Sequence, residues 1–323
     1  MAHLLNLFTD GRARMAYVGE TPWHGLGQQL TPDASIDVWA REAGMDFEIL
    51  GSPVMYKNAE GKTFKQESKQ VLYRADTNDA LGVVGSKYKV VQPRAILEFF
   101  RNLVEEQGFK LETAGVLFNG AKYWALASTG EEIKLRGDDK VRQHLMLATA
   151  CDGSLRTTAK FVSTRVVCNN TIAVALGEDN PAGTVKVSHS STFDAGEVQA
   201  DLGLVDEAWQ LHAELIKAMS KRKVTEEEAV QFVIELVGDP KRTPADNQSI
   251  DAVGKVLGLY AGNGLGAELP SAANTAWGLL NAATEYVDWH IGKNQNRRLE
   301  AAWMYQGTRL KTYAFDLASR MVA

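Results

Sequence analysis

The feature that most constrains the fold is a pair of strand-like runs on either side of Asp152-Gly153. From Leu155 to Val167 the side chains alternate, and successive residues of a β-strand point to opposite faces of the sheet. The preceding run, Arg142 to Ala150, is apolar at its centre, and Asp-Gly is compatible with a tight turn. The segment therefore predicts a β-hairpin, one face of which carries Arg156 and Lys160 two pleats apart.

The pattern changes directly after this hairpin. Asn169 and Asn170 belong to a residue type that caps helix N-termini. The apolar run from Thr171 to Leu176 is followed by Gly177, and glycine commonly ends a helix. We therefore expect a short helix over residues 171–176.

The first half of the chain adds more strands than helices. Asn119-Gly120 is the strongest hairpin signal in the sequence. Further strand-like runs cover residues 47–56, 70–74, 81–85, 88–92 and 184–189. Apolar residues recur at helical spacing from Pro93 to Gly108, and a short helix is predicted from Ser35 to Gly44. Strands and helices do not alternate strictly, so the pattern favours an α+β fold in which an antiparallel sheet of β-hairpins packs on helices.

The helical pattern takes over after Asp194. A helix is expected over residues 197–220, and Thr225 with Glu228 forms the capping-box pattern that starts another helix. The C-terminal part is therefore predicted to be mostly helical. We predict three regions: an irregular N-terminal arm over residues 1–34, an α+β core domain over 35–190 and a helical domain over 191–323.

Length and charge limit the classes of function. The 323 residues are 45% hydrophobic and 23% charged, which is ordinary for a globular protein. The formal net charge of −5 argues against nucleic-acid binding through overall charge, so any such site must be a local basic patch. No run approaches the roughly 18 apolar residues of a membrane span, and no signal-peptide pattern begins the chain. We therefore expect a cytoplasmic protein that does not bind membranes.

No catalytic or metal-binding set is recognisable in the sequence. The two cysteines, Cys151 and Cys168, are too few for a disulfide framework or a four-cysteine zinc site, and the six histidines lack metal-ligand spacing. The Gly262–Gly266 loop follows a helix-like stretch and lacks the Lys-Ser/Thr of a phosphate-binding loop. We expect no enzyme activity, no metal and no cofactor. A thiol nucleophile at Cys168 stays open, because only the fold can bring a histidine beside it.

What remains is a basic strand face. The side chains that we predict to bind nucleic acid are Arg156, Lys160, Lys122, Arg142, Lys140 and Trp124. The cations would follow a phosphate backbone, and Trp124 or its neighbour Tyr123 would stack on bases. A solvated sheet face with ordinary charges explains the same pattern, so the sequence leaves both interpretations open.

Three segments together resemble a known family. They are ETPWHGLG at residues 20–27, RVVCNNT at 165–171, and LNAATEYVD at 280–288 followed by RLEAAW at 298–303. In this order, and over nearly the whole chain, they resemble the phage- and plasmid-encoded family of domain of unknown function 932. The resemblance implies carriage on mobile elements in a bacterial host cell and transfers no catalytic residues.

The order of elements is also similar to that of the phage single-strand annealing proteins. The similarity is architectural, without a shared motif: those proteins place a β-hairpin sheet and a helix around a basic groove and assemble as rings or filaments. The basic strand face, the absence of a catalytic set and the resemblance to a mobile-element family together predict a non-enzymatic, phage- or plasmid-encoded protein that binds single-stranded DNA and promotes annealing or recombination as a homo-oligomer.

The alternative is a protein-interaction or host-takeover factor, such as an inhibitor of host defence, that binds a host protein and no nucleic acid. Its working surface would be the N-terminal arm around Trp23 and His24, or the C-terminal helix around Trp303 and Tyr305.

Overall fold

A large β-sheet organises the fold. The computed structural model describes residues 7–19, 26–165, 171–173, 184–202, 205–239, 241–247, 249–291 and 306–323. The strands of the large sheet are β1 (Met15–Val18), β2 (Gln28–Leu30), β6 (Lys110–Leu117), β7 (Lys122–Lys134), β8 (Lys140–Ala150), β9 (Thr157–Arg165), β10 (Thr171–Ala173) and β11 (Thr184–Val187). Their order is β10-β9-β8-β7-β6-β1-β2, and β11 also pairs with β9. Only the β1–β2 pairing is parallel among the described strands.

A small sheet lies beside the large one. Its strands are β3 (Ile49–Lys57), β4 (Thr63–Arg74) and β5 (Ala80–Gly85), in the antiparallel order β3-β4-β5. β5 pairs with β4 only from Lys69 to Tyr73. Residues 54–66, at the far end of the β3–β4 hairpin, therefore form a two-stranded segment, which we call the ribbon.

Helices cover one side of the large sheet and make up most of the C-terminal part. They are α1 (Ile36–Glu42), α2 (Pro93–Gln107), α3 (Ala195–Asp201), α4 (Val205–Lys221), α5 (Glu226–Val237), α6 (Pro244–Asn247), α7 (Asp251–Gly258), α8 (Ala276–Glu285) and α9 (Gln306–Arg320). Ser35 caps α1 by accepting a hydrogen bond from the N–H of Val38, and the Thr225–Glu228 capping box starts α5 as predicted. The α+β fold class is confirmed.

Three groups of buried apolar residues hold these layers together. The first joins one face of the large sheet, with Leu145 and Phe161, to α1 and α2, with Trp39 and Phe100. A second lies among the C-terminal helices and also includes Ile133 and Val141 from β7 and β8. The third and smallest lies on the other face of the large sheet and comprises Ala13, Met15, Leu117, Trp124, Leu126, Met146, Ala148 and Val162.

Several predicted elements differ from the structure. The helix expected over residues 171–176 is wrong at its start, because Thr171–Ala173 is a strand paired antiparallel with residues 162–164 of β9. The free edge of β9 offers unpaired backbone groups, and a short apolar run fits a strand as well as a helix. Residues 88–92 form no strand. The long helix expected over residues 197–220 is two helices, α3 and α4.

Some predictions lie outside the described residues or remain untested. Trp23, His24, Cys168, Trp303 and Tyr305 are outside the described part of the chain. The domain boundaries stay a prediction. Among the described residues, no helix has both the length and the apolar character that a membrane crossing requires.

Candidate nucleic-acid interface

Two strands bring basic side chains together at one edge of the large sheet. Arg156 directly precedes β9, and Lys160 lies within it. β11 pairs with the outer edge of β9 and places Lys186 opposite Thr158. Paired residues share a face, as do residues two apart along a strand. Arg156, Lys160 and Lys186 therefore lie on one face around Thr158, and we call these three residues the basic cluster.

The members of the basic cluster differ in exposure. Arg156 and Lys186 are exposed, whereas Lys160 is partly buried. Neither Arg156 nor Lys186 forms an ion pair with another residue in the described part of the chain. Two accessible cations thus flank a third that lies deeper, which suits the charge and shape of a phosphate chain.

The electrostatic environment of Lys160 is unfavourable to its own charge. Burial, followed by the positive charges of Lys311 and Lys186, lowers the pKa of Lys160 to about 8. Lys311 is a buried residue of α9 that forms an ion pair with Asp288, and burial lowers its pKa as well. An anion placed beside Lys160 would oppose this repulsion and raise the pKa of Lys160. Strongly shifted groups of this kind are common at binding sites.

The opposite end of β9 is held by a buried ion pair. Arg165 donates from Nε and Nη2 to the two carboxylate oxygens of Asp139 at 2.7 and 2.8 Å, and both side chains are fully buried. Nη2 of Arg165 also donates to the carbonyl oxygen of Gly266 at 3.1 Å, and Trp277 Nε1 donates to Asp139 at 3.1 Å. A bidentate ion pair of this kind fixes the orientation of both side chains. Arg165 therefore joins the sheet to the loop at residues 262–266.

Two of the predicted contact residues are buried. Lys122 and Trp124 are each only 4% exposed. The Lys122 ammonium lies 5.2 Å from the ring centre of Phe118, and Trp124 packs in the small apolar group on this face. Tyr123, on the opposite face, is fully buried and its hydroxyl donates to the carbonyl oxygen of Val91. In this arrangement no ring of β7 is accessible for stacking on a base.

The other two predicted cations lie further along the face and are paired. Arg142 Nε lies 3.3 Å from a carboxylate oxygen of Glu132, and Lys140 Nζ lies 3.6 Å from one of Asp138. The β8–β9 register separates Arg142 from Lys160 by four positions, which is about 13 Å along a strand. The structure thus keeps Arg156 and Lys160 together and places Arg142 and Lys140 apart from them.

Sequence reasoning missed Lys186 and Lys311. The strand over residues 184–189 was predicted, but the strand with which it pairs was not. β11 and β9 are separated by a long connection, and no local sequence signal specifies that they pair. Lys311 comes from a helix about 150 positions further along the chain than Lys160. In the described ranges, no group of three or more His, Cys, Asp or Glu side chains is arranged to hold a metal ion.

Described residues of two of the family-like segments meet where the large sheet contacts the C-terminal helices. Arg165 begins one segment, and Glu285 and Asp288 belong to another. Glu285 accepts a hydrogen bond from the N–H of Leu265 at 2.9 Å, next to the Gly266 carbonyl that Arg165 contacts. Segments far apart in sequence therefore build one buried junction.

Comparison with known proteins identifies the family. No curated protein and no solved structure matches the chain, so the similarity to single-strand annealing proteins is left without support. A family profile, described as a domain of unknown function (DUF932), matches residues 80–303. That span contains the basic cluster and the Arg165–Asp139 junction, whereas β3 and β4 precede it. Because the match covers more than half of the chain, this protein belongs to the DUF932 family.

Proposed function

We propose that this protein binds single-stranded DNA and promotes annealing or recombination as a homo-oligomer, without enzymatic activity. The observation that carries the proposal is the basic cluster: Arg156 and Lys186 are exposed beside Lys160, whose pKa is lowered to about 8 by burial and by like charges. Such a group of cations favours an anionic ligand. Because the net charge of the chain is acidic, a nucleic-acid site must be a local basic patch, and the basic cluster is such a patch.

The ligand contact is with the phosphate backbone. Trp124 is buried, so the site offers charge without an aromatic platform, and phosphate contacts position a strand without reading its sequence. Three cations that each neutralise one phosphate give a logarithmic salt slope of about −2 for single strands. Sequence-independent binding is what an annealing protein requires, because it must accept any complementary pair.

Fluorescence anisotropy with a labelled single-stranded oligonucleotide tests the site. The variant is Arg156→Ala/Lys186→Ala, because both side chains are exposed and their removal leaves the core intact. We expect affinity to fall roughly tenfold or more, at about 1 kcal/mol for each lost charged contact. The control is Arg242→Ala, an exposed cation of the helical part, which should bind as the wild type does.

The same proteins should differ in a strand-annealing assay. The wild type and the Arg242 variant should accelerate the pairing of complementary strands, and the double variant should not. If the wild type binds no single-stranded DNA, or if the double variant binds it equally well, the proposed site is wrong.

The alternative, a protein-interaction or host-takeover factor, has one observation in its favour. The ribbon exposes three large apolar side chains, Met55, Tyr56 and Phe64, and exposed apolar groups that lie close together mark contacts with another macromolecule. Affinity purification that returns one stoichiometric host protein and no nucleic acid would favour this alternative.

A further inference from the structure

Most side chains of the ribbon are exposed in the described structure. Tyr56 and Phe64 stand opposite each other across the two strands, and their rings stack with centres 5.7 Å apart. Met55, Tyr56 and Phe64 are 55%, 53% and 42% exposed. A two-stranded hairpin on its own is only marginally stable in water. An aromatic pair that is about half exposed to solvent on such a hairpin indicates a surface that becomes covered on binding.

The two faces of the ribbon differ in character. Side-chain alternation puts Val54, Tyr56 and Phe64 on one face, and Met55 with Lys57 and Lys65 on the other. One face thus carries the aromatic pair, while the other carries two lysines around Met55, of which Lys65 lies 3.0 Å from a carboxylate oxygen of Glu67. A partner that packs on the aromatic face leaves the lysines of the other face exposed. There they attract negative charge on that partner at longer range.

Both outer edges of the ribbon are open. β5 pairs with β4 only as far as Lys69, so residues 54–57 and 63–66 have no other strand beside them in the described structure. Open edges invite pairing with other chains, and exposed lysines restrain that pairing. Lys57, Lys62 and Lys65 occupy these edges and the tip.

Charge decides between candidate partners. The ribbon contains three lysines and one glutamate, so it carries +2, and the remaining chain carries −7. Two ribbons repel each other, which disfavours ribbon-to-ribbon pairing. The acidic remainder of a second copy attracts the ribbon, and complementary charge both steers association and selects the partner.

We propose that the ribbon docks on the acidic body of a second copy of this chain, with Tyr56 and Phe64 buried in the contact. A contact between two different surfaces is reciprocated in a dimer, closes into a ring or continues along a filament. The inference deepens the homo-oligomeric part of the proposed function, and the docking itself requires no DNA.

Sedimentation velocity on the full chain tests the aromatic contact. The variant is Tyr56→Ser/Phe64→Ser, and the matched control is Val83→Ser, which removes a 57% exposed apolar side chain from β5. Burial of each ring contributes enough that its loss weakens association about tenfold, so the double variant should associate about a hundredfold more weakly. The control should associate as the wild type does. Circular dichroism should show that both variants remain folded.

A charge reversal tests the choice of partner. Lys57→Glu/Lys62→Glu changes the ribbon from +2 to −2 and should weaken association at low salt. Lys134→Glu/Lys241→Glu, at two exposed cations outside the ribbon, changes the charge of the chain by the same amount, so it is the matched control and should have a much smaller effect. At about 1 M salt, where the screening length is about 3 Å, the difference between the ribbon variant and the wild type should shrink.

Three results would overturn the proposal: a wild type that is monomeric at micromolar concentration, an aromatic variant that assembles normally, or a charge reversal without effect. An aromatic variant that assembles normally but loses oligonucleotide binding would identify the ribbon as a base-stacking surface instead. Failure of the proposed DNA site gives a different result, because Arg156→Ala/Lys186→Ala should assemble normally whether or not it binds DNA.

Discussion

The two ends of β9 place positive charge in opposite settings. At its C-terminal end, Arg165 is buried and matched by Asp139. At its N-terminal end, Arg156 and Lys160 lie beside Lys186. Burial and the like charges nearby disfavour the charged form of Lys160. A buried charge that is fully paired fixes architecture, whereas exposed cations beside a lysine whose charged form is disfavoured by burial and like charges are suited to an external anion. The difference separates a structural junction from a candidate binding surface on one strand.

The largest expected effect comes from removing the carboxylate that pairs with Arg165. Asp139→Ala leaves the Arg165 guanidinium buried without its carboxylate, which should destabilise the fold by about 3–5 kcal/mol. Chemical denaturation measures this loss. Asp138→Asn is the control, because that neighbouring carboxylate is 88% exposed and asparagine tolerates the positive φ of 58° at this position, so the loss of the charge should change stability by less than about 1 kcal/mol. Equal stability of the two variants would mean that the buried pair does not anchor the junction.

The cation-rich end should respond to pH through ligand binding. A lysine with a pKa near 8 loses its charge between about pH 7 and pH 9, where an ordinary lysine stays protonated. Phosphate prefers the protonated form, so affinity for single-stranded DNA should be highest below about pH 8 and fall up to roughly tenfold by about pH 9. Anisotropy titrations across this range measure the change.

Lys160→Arg is the control for the pH dependence. Arginine remains charged throughout the range, so the variant should bind DNA with nearly the same affinity at both ends of it. If the pH dependence persists in Lys160→Arg, another group is responsible. A wild type with no pH dependence would separate Lys160 from the binding surface.

Local signals explain what the sequence predicted correctly. The hairpin at Asn119-Gly120 and the capping box at Thr225 follow from turn and cap chemistry, which depends on a few neighbouring residues. The β8–β9 hairpin and the shared face of Arg156 and Lys160 follow from alternation. These features are encoded within short windows, so the α+β class could be predicted from the chain alone.

Non-local packing explains what the sequence did not predict. Alternation places Trp124 on the same face as Lys160 but does not say whether that face is covered, and Trp124 is buried. The position of Lys186 depends on which strand β11 joins. β4 begins at Thr63, seven residues before the predicted strand, because residues of a ribbon exposed on both faces show no alternation of apolar and polar types.

The smallest expected effect comes from the paired end at acid pH. His212 of α4 lies against Ser163 of β9, with Nε2 3.2 Å from the serine hydroxyl oxygen, and its ring stacks on Phe315. Burial lowers the pKa of His212 to about 3. Below the ordinary histidine pKa of about 6.5, the unfolded chain takes up a proton that the folded chain does not, so stability falls as the pH falls.

At about pH 5.5 the contribution of His212 to this loss is about 1 kcal/mol, one pH unit below the unfolded pKa. Comparing denaturation midpoints at about pH 7 and pH 5.5 for the wild type and His212→Gln isolates it, because glutamine does not titrate and offers an amide to Ser163. The variant should lose about 1 kcal/mol less than the wild type over this range. An identical loss in both proteins would mean that His212 is not held neutral by the fold. A smaller loss in the variant would show that protonation of His212 destabilises the packing beside Ser163, so that acid acts on the end of β9 that Arg165 and Asp139 hold, whereas the effect of base is expected at Lys160.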